Sequence, residues 1–214
     1  MDKKPKVVVI GGGSGISVVL RGLKYLPVDL TAIVTVADDG GSSGLLRKEF
    51  DVPAPGDLRN VMVALSDVEP LIEEVFQYRF KKDSFLGGHP LGNLLIIAMK
   101  ELTGDIRSAV DNLRKLFNIK GKILPATSEK VVLMAEKEDG KIIEGESNIP
   151  VLGEKIKRVF YKESVEAPKE NLEALEDADL VIFGIGSLYT SIIPNLLLNG
   201  IKESLKKCKG KRVY

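Results

Sequence analysis

The sequence predicts an α/β domain: a mostly parallel sheet flanked by helices, with a small antiparallel β insertion. Three observations lead there. Val7-Val8-Val9-Ile10 is a run of β-branched residues, suited to a strand buried on both faces. It ends in Gly11-Gly12-Gly13-Ser14-Gly15, and apolar residues then recur at Ile16, Val19, Leu20 and Leu23, at helical spacing. Near the other end, Leu180–Phe183 repeats the arrangement: an apolar strand, then Gly184-Ile185-Gly186-Ser187, then a helical stretch from Leu188.

Between these units the chain reads as follows. Pro27 interrupts the first helix, and residues 30–36 form a second strand, completing a βαβ unit. That strand ends at Asp38-Asp39, before Gly40-Gly41-Ser42-Ser43-Gly44. Residues 45–55 read as irregular. Asp57 is placed as the N-cap of a helix carrying Val61, Ala64 and Leu65. A helix over 69–80 follows, broken at Lys81-Lys82-Asp83-Ser84. Gly87-Gly88-His89-Pro90-Leu91-Gly92-Asn93 opens a long helix with a stripe of Leu91, Leu94, Leu95, Ala98 and Leu102. A further helix carries Ile106, Ala109, Val110, Leu113 and Phe117 on one face. From Gly121 the period changes to two. Strands over 122–126, 131–136, 141–146 and 156–161, with an Asp139-Gly140 hairpin turn, make residues 118–162 a β-rich insertion. A short helix over 170–176 precedes the second glycine unit. Lys211-Arg212-Val213-Tyr214 reads as the start of another strand, so a C-terminal portion is expected beyond it. Residues 1–214 otherwise read as one domain.

Hydrophobic residues make up 44% of the chain and charged residues 29%, with a net charge of +1, so no basic excess points to nucleic acid. The apolar runs are too short for a membrane span, and no signal peptide is recognised. One cysteine, Cys208, cannot form an internal disulfide, which fits a cytoplasmic setting; it reads as a surface thiol. The basic residues from Lys202 to Arg212 read as a solvated face and tail.

The chemistry concentrates in the loops. A strand–glycine turn–helix offers close backbone approach and unpaired N–H groups, so Gly11, Gly12, Gly13, Ser14 and Gly15 suit a phosphate; the same turn also forms without a ligand. The pattern is neither G-x-G-x-x-G nor a P-loop. Asp38 and Asp39, at a strand end, suit Mg²⁺ bound together with phosphate oxygens, or a ribose hydroxyl, or simple loop capping. Gly186, Ser187 and Thr190 suit a second phosphate or a plain N-cap. His89, the one histidine, suits acid–base work or a phosphate contact as well as a structural cap, with Asn93 one helical turn beyond. Parallel strands bring these loops to one edge. The first strand is expected at the centre, flanked by the second strand and Leu180–Phe183. A diphosphate would lie across Gly12 and Gly13, a second anion near Ser187, and His89 and Asn93 would close the cleft.

VVVIGGGSG, VTVADDGGSSGLLRKEFDVPAPGDLRN, GHPLGNLL and IGSLYTSIIPNLL together resemble the CofD-like superfamily, and within it the YvcK-type gluconeogenesis factors of bacteria. The resemblance covers essentially the whole chain and implies a Rossmann-like core that continues past Tyr214. For the CofD branch it implies a Mg²⁺-dependent transfer of 2-phospho-L-lactate. For the YvcK branch it implies a cytoplasmic factor for gluconeogenic growth, cell shape and cell-wall metabolism that binds a nucleotide or UDP-sugar, with NAD(P) as another nucleotide such a site can take. Carried over to this sequence, the nucleotide region would use Gly11 to Gly15, Asp38, Asp39, Asn60, His89, Asn93, Gly186 and Ser187, with Asp38 and Asp39 as metal or acceptor-site ligands. A homo-oligomer is compatible with this reading.

Overall fold

A computed structural model describes residues 3–149 and 155–214. The part of the expected insertion at 150–154 lies outside the described residues. The first half runs β1 (Lys6–Gly11), α1 (Gly13–Leu23), β2 (Asp29–Val34), α2 (Gly41–Phe50), α3 (Gly56–Leu65), α4 (Glu69–Gln77), α5 (Leu91–Thr103) and α6 (Ile106–Leu116). Then come β3 (Lys122–Pro125), β4 (Leu133–Lys137), β5 (Ile142–Glu144), a 3₁₀ turn (Glu146–Asn148) and β6 (Ile156–Tyr161). The chain closes with α7 (Lys169–Glu176), β7 (Leu180–Phe183), a π-helical turn (Leu188–Ile192), α8 (Ile193–Leu196), α9 (Ile201–Lys207) and β8 (Lys211–Val213).

Five strands form one parallel sheet in the order β3-β2-β1-β7-β8. The β-branched run of β1 therefore sits at the centre, pairing Val7 with Leu30 on one side and with Leu180 on the other. Val9, Ile10, Ile33 and Val34 are buried, each such side chain contributing about 1.5–3 kcal/mol relative to exposure. Helix α1 packs on α3, α5 on α6 and α7 on α9. The strand order reverses at β1, so a crevice opens between the ends of β1 and β7, the expected place for a ligand in such sheets. A second, antiparallel sheet, β5-β4-β6, forms the insertion. Its hairpin turn has Gly140 at φ +83°, and Asp139 Oδ1 accepts the Lys141 N–H at 3.0 Å. Among the described residues no helix is long and apolar enough to cross a membrane.

Four expectations are corrected. Residues 45–50 are not irregular: α2 runs through Phe50, Asp51 in the left-handed region ends it, and only residues 51–55 are irregular as expected. Its small, polar first turn, GSSG, hides the helical period. Lys122–Pro125 belongs to the parallel sheet beside β2 and not to the insertion. Its buried run Ile123-Leu124-Pro125 lacks the alternation of a half-exposed strand. Helix α5 buries Gly92, Asn93, Ile96 and Ile97, whereas Ala98 and Leu102 face out; a helix apolar on most sides does not reveal its inner face. Cys208 is buried rather than at the surface, with its Sγ–H 3.5 Å from the Ala178 carbonyl where α9 ends under β7.

Candidate functional site

At the carboxyl edge of the sheet the β1–α1 turn is tight on every side. Gly13 begins α1 at φ +62°, a conformation that suits glycine. A Cβ on Gly12 would lie 2.2 Å from Thr35 Cγ2 and 2.7 Å from Asp57 Oδ2. Asp57 is not the cap of its own helix, since the cap position of α3 is Pro55. Its carboxylate instead accepts the backbone N–H of Gly13, at the N-terminus of α1. The expected phosphate amide thus already holds an internal anion, 44 residues away in sequence. Burial pushes the Asp57 carboxyl up to about 6; the Gly13 N–H and Arg59 oppose this and Asp38 adds to it.

Asp38 and Asp39 end the loop after β2. Asp38 Oδ1 accepts the Gly40 N–H at 2.9 Å, an Asx turn. Its Oδ2 lies against Gly56, whose Cβ, if present, would sit 3.0 Å away. Asp39 Oδ1 accepts the Ser147 N–H at 2.8 Å from the insertion's 3₁₀ turn. That turn also delivers Glu146, which the Thr190 hydroxyl hydrogen-bonds. Burial first, then the charges of Asp38, Asp57 and Asp39, push the Glu146 carboxyl up to about 7, against the Thr190 bond. Four carboxylates therefore share the crevice. Arg47 props the loop from below, its Nη1 donating to the Ala37 and Asp38 carbonyls at 3.1 and 3.0 Å and its Nη2 to Val131. Tyr161 of β6 hydrogen-bonds the Thr35 side chain, and burial raises its phenol.

A second cluster adjoins the first. Ser42 Oγ and His89 Nδ1 are 2.8 Å apart, Asn93 Nδ2 donates to Ser42 Oγ at 3.1 Å, and Arg59 Nη1 donates to Asn93 Oδ1 at 3.1 Å. His89 thus faces the loop after β2 and does not enter the core. The charges of Asp57 and Asp38 bear on Arg59, joining the two clusters, although burial outweighs them and lowers the guanidinium. Asn60 flanks this cluster through Arg59: its Oδ1 accepts from Arg59 and Gln77. Ser187 Oγ accepts the Thr190 N–H at 3.3 Å, so its hydroxyl serves as a cap for the π-helical turn. Gly186 packs on Ser191, and Gly15 abuts the Ile185 carbonyl. Ser14 is exposed, and Gly11 is the last residue of β1, its carbonyl taken by Thr35 and Asn195.

The structure therefore brings together Gly12, Gly13, Asp38, Asp39, His89, Asn93 and the Gly186–Thr190 turn, and adds Asp57 and Glu146 in roles the sequence did not suggest. Nothing local marks Glu146: it is 107 residues from Asp39 and follows an unremarkable glycine. Among the described residues no group of three or more His, Cys, Asp or Glu side chains is placed to hold a metal ion by itself. The hollow of about 180 Å³ lined by Lys6, Asp29, Lys122 and Glu173 opens away from this edge, at the strand starts, and holds none of the residues above.

The two raised carboxyls carry a stability consequence. Each binds its proton more tightly in the folded chain than in the unfolded one. Their contribution is fully present below the ordinary values, 3.8 for Asp57 and 4.5 for Glu146, and is lost as pH rises through about 6 for Asp57 and about 7 for Glu146. Wild-type stability is expected to fall by on the order of 2 kcal/mol between pH 5 and pH 8, after discounting solvent screening at the partly exposed Glu146. Asp57→Asn combined with Glu146→Gln should flatten that slope in urea titrations; an unchanged slope would show that other groups set it.

A family model described as 2-phospho-L-lactate transferase CofD matches residues 7–214. The chain belongs to the CofD family. Among curated relatives, the gluconeogenesis factor of Bacillus subtilis is 56% identical over 215 residues, covering 100% of this chain and 68% of that protein. The gluconeogenesis factor of Halalkalibacterium halodurans is 55% identical over 213 residues, covering 99% and 66%. This CofD-family chain thus spans about two thirds of the length of these relatives. Two crystal structures of a Bacillus halodurans protein superpose with TM-scores of 0.95 each, at 55% and 54% identity. They match 99% and 100% of this chain and 68% and 69% of those chains. The α/β architecture described above is therefore that of these solved structures.

Proposed function

We propose that the chain binds a nucleotide, a UDP-sugar foremost and NAD(P) as the alternative, at the crevice between β1 and β7. We propose further that it acts in the cytoplasm as a gluconeogenesis factor whose ligand ties it to cell shape and cell-wall metabolism. The names of its relatives support the first part of that role. The observation that carries the binding reading is the convergence of Gly12–Gly13, Asp38–Asp39 and the turn after Gly186 on the edge where strand order reverses. The donor set also fits Mg²⁺. Asp38 and Asp39 each spend one oxygen on a backbone N–H and have a second oxygen to offer, and two carboxylates plus ligand phosphates are what Mg²⁺ commonly takes. A cation there would offset the repulsion from Asp38, Asp57 and Asp39 that adds to burial in raising Glu146, and would let an anionic phosphate approach Asp57.

Calorimetry with UDP-sugars, UDP and NADP, with and without Mg²⁺, tests this reading. Binding heat is expected for at least one, strengthened by Mg²⁺. A Gly13→Val chain that remains folded should lose it, because the added side chain projects beside Ser191 Oγ into the crevice. Absence of heat for every nucleotide at high protein concentration would sink the proposal. A second reading, a Mg²⁺-dependent transferase of the 2-phospho-L-lactate kind, is favoured by the carboxylates gathered at the phosphate turns, since such transfers depend chiefly on positioning and charge neutralisation. Turnover of an activated phospholactate analogue, lost in Asp38→Asn, would promote it over the first.

A further inference from the structure

We infer that Ser42 is a nucleophile with His89 as its base, in a site that attacks phosphorus in phosphate esters. The substrate class rests on the nucleotide reading above; the reactivity of the serine does not. The inference starts from hydrogen-bond direction. Arginine has donors only, so the Arg59 bond fixes Asn93 Oδ1 toward Arg59 and Asn93 Nδ2 toward Ser42. Ser42 Oγ therefore accepts from Asn93 and keeps its own hydrogen; we take the tautomer in which that hydrogen goes to His89 Nδ1, 2.8 Å away. In that tautomer every donor in Arg59–Asn93–Ser42–His89 points the same way, with the imidazole hydrogen on Nε2 and Nδ1 the acceptor. Arg59 and Asn93 are buried, whereas Ser42 and His89 are partly exposed, so the reacting end of the chain is the end that meets solvent.

Three features favour the deprotonated serine: the Asn93 amide donor, the guanidinium behind it, and the first turn of α2, in which Ser42 is the second residue and which no side chain caps. Asp38 and Asp39, one turn before, oppose them, and a phosphate-bound cation would reduce that opposition. The step is balanced without an outside reagent. Ser42 Oγ forms a bond to phosphorus as its proton passes to His89 Nδ1. In a diphosphate compound the bond from that phosphorus to the bridging oxygen breaks, and the second phosphate leaves as its anion with the bond's electron pair. The product is a phosphate ester on Ser42, which water or an alcohol can then take up.

A fluorophosphonate probe, in which fluoride is the leaving group, tests this on the chain as it stands. Peptide mass spectrometry should place the adduct on Ser42 and not on the adjacent Ser43. Ser42→Ala should remove it, and His89→Gln should slow it by about 100-fold. No adduct on folded wild type, or equal rates with and without His89, would overturn the inference. Because the chain has one histidine, its imidazole nitrogen resonances need no assignment. An unprotonated Nδ1 in the neutral ring is expected, and a proton on Nδ1 would likewise overturn the inference even if the variants fail to fold. An adduct without nucleotide heat would leave the nucleophile standing and sink the nucleotide reading; heat without an adduct would do the reverse.

Discussion

Gly15→Ala is expected to cost about 3–5 kcal/mol, enough to lower the melting temperature by roughly 10 °C in a chain of this size. The cause is a backbone that cannot give way. A Cβ on Gly15 would fall 1.6 Å from the Ile185 carbonyl oxygen and 2.4 Å from its carbon. No side-chain rotation relieves that overlap, so α1 must lift off the loop after β7, and the crevice widens where Gly186 meets Ser191. Gly22, in the same helix, is the control, because a Cβ there meets nothing within 4 Å. Gly22→Ala should stabilise the chain by about 0.5–1 kcal/mol through helix propensity alone. Thermal and urea unfolding of the two variants should therefore move in opposite directions. A Gly15→Ala chain within 1 kcal/mol of wild type, on the scale of ordinary surface changes, would mean that the close helix–strand approach is not needed.

Arg47→Ala should be nearly as damaging, at about 2–4 kcal/mol. The guanidinium is buried and bonds only to carbonyls, those of Ala37, Asp38 and Val131. Removing it leaves buried acceptors without donors, each costing about 1–3 kcal/mol. Part of that is returned because the charge itself is held in a poorly solvated place, as its lowered pKa reflects. Arg47→Lys should rescue little, since one ammonium cannot span carbonyls from two segments as a planar fork does. Amide exchange should speed up at residues 37–40 and 131–133 together, because one side chain joins both. Exchange confined to one of the two segments, or a Lys variant as stable as wild type, would contradict this account.

How legible the fold was depended on sequence distance. The β1–α1–β2 unit and β7 with its glycine turn could be read directly, because each packs its signal into one contiguous stretch and the apolar runs are continuous. The central place of β1 followed from that reading. What could not be read were relations between distant segments. Asp57 looks like a helix cap from its neighbours, yet the helix already begins at Gly56 with Pro55 at the cap position, and the carboxylate reaches Gly13 instead. Glu146 and Ser147 reach Asp38 and Asp39 only because the antiparallel insertion folds back over the sheet edge. The Ser42–His89 pair was hidden for the same reason: each residue sits in a polar, glycine-rich stretch with local explanations of its own. Helix α2 was missed because its first turn is built from the small residues that otherwise signal loops.

The pairing of β1 with β7 also dictates when this protein can fold. Lys6 N–H bonds to Asp179, 173 residues later, and Val7 aligns with Leu180. During synthesis the central strand of the sheet is made more than 170 residues before its partner β7. At about 5–20 residues per second, Val7-Val8-Val9-Ile10 waits roughly 10–35 s with one edge unpaired. For that interval the nascent chain exposes a short β-branched segment of the kind that pairs with other chains. The feature that centres the crevice thus depends on a contact of long sequence separation, the kind that slows folding.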